Sequence, residues 1–174
     1  MNPARRRTIE ELEALAGPVG PLGTLEWFDE HQAQLAAGAP QWLLDGLIDV
    51  LTNRPATAED WCRIEFVASE LLTAMGRQRD LIDRLRPLLD VPSARPAIID
   101  VFGGLADPRT VPDLVRLHAG GGLTTDDLLR LVDALGAIGD IEATACLHHI
   151  RATTDVPEVS REVDIVTFRA SLPR

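Results

Sequence analysis

Apolar residues recur along most of this chain at intervals of three and four, the spacing that lines one side of an α-helix. Thr8 and Glu11 stand at capping-box spacing ahead of the stripe Ile9, Leu12 and Leu15, and Gly17, Pro18, Gly20, Pro21 and Gly23 then break it. Thr24 predicts a second helix to about Ala37, with Leu25, Phe28 and Leu35 facing inward, stopped by Gly38 and Pro40. A third, from about Gln41 to Thr52, places Leu43, Leu44, Leu47, Ile48 and Leu51 on one side, with Pro55 just beyond its end. Thr57 opens a long fourth helix with Ile64, Val67, Ala68, Leu71, Leu72 and Met75 on one face, and Gly76 either ends it or marks a close helix approach. Residues 79–89 supply its partner through Leu81, Ile82, Leu85, Leu88 and Leu89, although Pro87 predicts a kink or an early stop.

Beyond residue 97 the pattern repeats. Residues 98–117 read IIDVFGGLADPRTVPDLVRL and residues 131–150 read LVDALGAIGDIEATACLHHI, one unit written twice with a spacing of thirty-three. Asp100 falls on Asp133, Gly103 on Gly136, Asp107 on Asp140 and Leu114 on Leu147. Each copy reads as two helices joined at its aspartate, and Pro108 suits a first helical position because its missing N–H costs nothing there. Ile98, Val101, Phe102 and Leu105 form one face, and Val111, Leu114, Val115 and Leu117 form the return face. Gly120, Gly121 and Gly122 predict a loop before Thr124 or Thr125 starts the second copy. A last helix from about residue 157 to 172 carries Val159, Val163, Val166 and Leu172. A fixed period of this length marks a stacked helical-repeat protein, whose units bury their faces against neighbours. The expected fold is therefore all-α, an α-solenoid of about four to five antiparallel helix pairs, with roughly nine helices in all. Residues 1–23 form an arm with a short helix and a Gly/Pro linker, and residues 24–174 form the solenoid domain.

The segments FGGLADPRTVPDL and LGAIGDIEATACL resemble HEAT repeats, in particular the short bacterial HEAT-like type found in phycobilisome (PBS) lyases. Gly103 and Gly136 sit where that pattern places a small residue, Asp107 and Asp140 sit at its turn, and Pro108-Arg109 matches its continuation. The second copy departs with Ile141-Glu142. The resemblance covers residues 94–152 well and residues 64–89 in degraded form. It implies a fold and a tendency to bind proteins rather than an activity.

Charge narrows the partners. The net charge is −10, and all seventeen cations are arginine. Residues 8–53 hold eight acids and no arginine, residues 54–95 hold seven of each, and residues 96–174 hold twelve acids against seven arginines. Such a surface repels phosphate backbones and anionic membranes but suits a basic partner, or simply keeps the protein soluble. Two cysteines without framework spacing fit a reducing compartment, and the N-terminal residues lack the apolar run of a signal peptide or anchor. No stretch reaches the length of a membrane span, so the expected location is the cytoplasm.

Candidate chemistry is sparse. His148 and His149, with Cys146 nearby, point about 100° apart on a helix and cannot easily share one metal ion. By alignment with Val115 and Arg116, His148 should be half-buried and His149 exposed, while Cys146 shares the stripe of Ala143, Leu147 and Ile150. Cys62 has no histidine near it in sequence, and neither a phosphate loop nor a nucleophile elbow occurs. The His-Glu dipeptides of HEAT-like hydroxylases and the basic groove of HEAT-like DNA glycosylases are both missing. Asp80 with Arg84 and Asp126 with Arg130 stand at i,i+4 as surface pairs.

These readings converge on a non-enzymatic, protein-binding helical-repeat module, an adaptor or scaffold without a cofactor, metal or catalytic residues. Trp27, Trp42 and Trp61 with Glu30 and Asp45 either anchor a protein interface or fill the first core layer, and Arg116, Arg130 and Glu142 are candidate partner contacts. One specific form is an acidic neutraliser of a basic partner, such as a toxin-immunity protein. The alternative is a small-molecule enzyme resembling bilin lyases, for which Glu65, Glu70, Asp100 and Asp133 are the carboxylates to inspect.

Overall fold

The computed structural model describes residues 41–53, 61–76 and 80–171, and these are helical, with no strand among them. The helices expected between residues 8 and 37 and the Gly/Pro segment lie outside the described residues, as does Leu172. The chain divides into two compact units, Met1–Ala97 and Ile98–Arg174.

In the first unit α1 (Gln41–Thr52) has the bounds the leucine spacing predicts, and it packs on α2 (Trp61–Ala74). Leu44, Leu47 and Leu51 of α1 and Leu71 and Leu72 of α2 are fully buried, as is Met75 just beyond. α3 (Leu81–Leu85) is short, and the chain tightens into a 3₁₀ turn over Arg86–Asp90 with Pro87 in its first turn. Pro87 has no N–H to continue the α-helical ladder, and its ring crowds the preceding turn. Leu81, Leu85 and Leu89 remain buried across that change. Arg84 does not form the expected local pair with Asp80. Its guanidinium reaches Asp45 on α1 instead, so the side chain bridges two helices. Ser93 adds a second tie to α1, donating to the Thr52 carbonyl at 2.9 Å.

α4 (Arg95–Leu105) crosses the boundary into the second unit, which continues with a 3₁₀ turn (Pro108–Thr110), α5 (Val111–Gly120), α6 (Thr125–Ile138), α7 (Ile141–Thr153) and α8 (Pro157–Ser171). Ile98, Val101 and Phe102 are buried on α4, Val111 and Leu114 on α5, Leu131, Val132 and Leu135 on α6, and Val159 and Val163 on α8. Both predicted turns are capped by their aspartates. Asp107 Oδ1 accepts from the Arg109 amide at 2.9 Å, and Asp140 Oδ1 accepts from the Ala143 amide at 2.7 Å. The start of α6 is a reciprocal box: the Asp127 amide donates to Thr124 Oγ1 and the Thr124 amide to Asp127 Oδ2, each at 3.1 Å. Gly120 closes α5 rather than opening the loop, because the positive-φ residues are Gly121 and Gly122.

The sequence repeat is also a repeat of contacts. A Cβ built on Gly103 of α4 meets the Ala134 Cα of α6 at 2.9 Å, and one built on Gly136 of α6 would overlap Val166 Cγ1 of α8. Those contacts join residues thirty-one and thirty positions apart. Asp100 pairs with Arg130 across thirty, and His118 meets His149 across thirty-one. Each helix of one copy thus touches its counterpart in the next, slipped by two or three residues from the thirty-three-residue period. At the helix ends the correspondence holds again: Ala106 (φ 48°) and Gly139 (φ 65°) occupy one repeat position and share a left-handed backbone.

Candidate functional site

The repeat places its two aligned aspartates along the rim of one groove. Gly103 and Gly104 of α4 and Ala134 and Ala137 of α6 make a floor of small residues, and at Gly103 the helices approach too closely for a larger side chain. Asp100, Arg130 and Asp133 stand above that floor, and the hollow measures about 250 Å³. Arg130 is held from two sides. Its guanidinium pairs with Asp100 on α4, and its Nε donates to Asp126 on its own helix at 2.9 Å. The expected Asp126–Arg130 pair is therefore one arm of a three-residue bridge between helices.

Asp133 faces Glu162 of α8. Partial covering of its carboxyl is the main cause of a pKa held above the usual 3.8, and the nearby Glu162 charge adds to it against the opposing pull of Arg169. A carboxyl in this setting holds a proton more readily than an ordinary aspartate.

The other predicted residues are dispersed. Asp45 is exposed on α1 and engaged by Arg84 in the first unit, while Arg130 lies in the groove of the second. Arg116 and Glu142 are exposed on the return helices α5 and α7, so they do not share the helix layer of Arg130. Trp42 lies on α1 and Trp61 begins α2, but their side chains, and that of Cys62, lie outside the described residues together with Trp27 and Glu30. Glu65 and Glu70 are half-buried on α2.

On α7 the stripe Ala143, Cys146, Leu147 and Ile150 is buried as its spacing predicts. Burial pushes the Cys146 thiol up, with the Glu142 charge adding to it, so this cysteine packs as a small apolar side chain and is a poor nucleophile. His148 is a correction. It is exposed like His149 rather than half-buried, because α7 turns only the four-residue stripe inward and leaves both histidines outside it. The ring of His149 meets His118 of α5 edge-on, centroids 5.6 Å apart at 89°. Sequence reasoning that looked only at neighbours along the chain missed this contact, and it missed Glu162 beside Asp133. The signal was the repeat itself, since each partner stands one period away less a few residues.

No group of three or more His, Cys, Asp or Glu residues is arranged to hold a metal ion among the described residues. Among the same residues, no helix is long and apolar enough to cross a membrane. No protein-family model, no curated protein and no solved structure matches this chain.

Proposed function

We propose that this chain is a HEAT-like α-solenoid that works as a non-enzymatic protein-binding module for a basic partner. The observation that carries this reading is the repeated contact register, in which successive helices meet through Gly103 and Gly136 one period apart. A register of that kind belongs to stacked units that extend a surface rather than enclose a pocket. Along that surface Asp133 and Glu162 offer acidic groups beside a floor of small residues, which leaves room for a partner's backbone or long cationic side chains. A protein of net charge −10 would gain encounter rate and selectivity from such pairing. The module belongs in the cytoplasm, away from membranes and nucleic acid.

The bilin-lyase-like alternative draws on Asp133, whose raised pKa is the kind of shift an acid–base group shows. Its hollow of about 250 Å³ falls short of the ~300–1,000 Å³ typical of small-molecule sites, and it is a groove between two helices rather than a cleft. The protein-binding reading is accordingly preferred.

The test is affinity capture from the native cell with three baits: the unaltered chain, a chain carrying Asp133→Arg and Glu162→Arg, and one with Trp27, Trp42 and Trp61 replaced by alanine. A basic protein held by the unaltered chain, released by salt and lost on charge reversal is the expected result. Loss with the tryptophan variant alone moves the interface to the first third of the chain. Equal capture by all three baits overturns the reading.

A further inference from the structure

His118 and His149 come together from different return helices, thirty-one residues apart, while the adjacent His148 points elsewhere around α7. Their centroids lie 5.6 Å apart with the rings at 89°. Two imidazoles bound to one tetrahedral ion through bonds of about 2.0–2.1 Å have centroids about 5 Å apart, so the observed spacing is close to that of a liganded pair, although the edge-on rings must turn to aim a nitrogen of each at one ion. His149 is exposed and free to make that adjustment, whereas His118 is half-buried in the last turn of α5. Beside His118 a hollow of about 330 Å³ opens between the α5–α6 and α7–α8 connections, with Thr125, Thr153, Thr154 and Asp155 on its wall.

We propose that His118 and His149 form a two-histidine site for a divalent ion of the imidazole-preferring class, Zn²⁺ or Ni²⁺, which clips α5 to α7. Such ions take neutral imidazole nitrogens, while hard ions such as Mg²⁺ prefer oxygen. With two protein ligands the site binds more weakly than a three- or four-ligand centre, and its effect is on stability: an ion that binds only the folded state raises the unfolding midpoint. The site is independent of the acidic groove and would stand if the partner-binding reading failed.

The experiment uses the full chain at pH 7.5 with ZnCl₂, NiCl₂ and MgCl₂, read by calorimetric titration and by thermal unfolding with and without each ion. The variants are His149→Ala, His118→Asn and, as control, His148→Ala. The unaltered chain and His148→Ala are expected to bind one Zn²⁺ or Ni²⁺ and to melt higher in its presence, with no response to Mg²⁺. His149→Ala, a surface change that should leave the metal-free midpoint in place, is expected to lose the rise and about tenfold or more in affinity. His118→Asn should do the same, and if its metal-free midpoint falls, His149→Ala alone decides. Retained binding in His149→Ala overturns the proposal. So does equal loss in His148→Ala, or an unaltered chain that shows no one-to-one binding.

Discussion

At single positions the two copies of the repeat solve one backbone problem differently. Gly139 takes the left-handed conformation that ends α6, its amide donating to the Leu135 carbonyl at 2.9 Å, whereas Ala106 takes a similar conformation after α4. A Cβ in that region costs roughly 1–2 kcal/mol, less the entropy that glycine gives up. Ala106→Gly is therefore expected to stabilise the protein by up to about 1 kcal/mol, seen as a higher urea midpoint. The opposite holds at Gly136. Its missing Cβ is where Val166 Cγ1 now sits, and a stiff β-branched side chain cannot swing clear. Gly136→Ala should cost about 1–3 kcal/mol by overpacking, even with alanine's better helix propensity. Adding Val166→Ala should recover part of that loss, so a double-mutant cycle in denaturant reads the contact directly.

At the scale of helices, the pairing of α6 with α8 carries an electrostatic cost. Asp133 has a folded-state pKa above its ordinary 3.8, so the native state favours its protonated form. The stability this group supplies is present below pH 3.8 and is lost as pH rises through the shifted value. Asp133→Asn keeps the shape and removes the charge beside Glu162. It is expected to raise the unfolding midpoint slightly at pH 7, with the gain shrinking toward pH 4, because a solvated rim screens the repulsion. The elements themselves were legible in the sequence where the apolar period was strong. The bounds of α1 match the leucine stripe, Pro87 shortens α3, and Asp107 and Asp140 cap the turns where the repeat places them. Arg84 was not legible in the same way. A charged residue four positions from an aspartate suggests a local pair, but the choice between Asp80 and Asp45 depends on how α1 and α3 are packed.

For the molecule as a whole, the sequence indicated an all-helical chain, and the described residues are helical in both units. The groove was half visible: the alignment of Asp100 with Asp133 marked its rim, and Gly103 marked its floor. Arg130's bridge and Glu162's approach were hidden because periodicity gives the face of one helix, not the slip of that helix against the next. That slip is constant here. Gly103 finds Ala134 and Gly136 finds Val166 by nearly the same step along the chain. Under the stacked-repeat reading proposed above, the chain is expected to tolerate being shortened or lengthened in whole units. Excising codons 104–136 would splice Gly103 directly into the surroundings of Gly136, facing Val166, with the splice falling inside a helix and leaving its heptad of neighbours in phase. Growth or shrinkage by thirty-three residues is thus expected to be accepted locally, because it puts Gly103 in the register of Gly136.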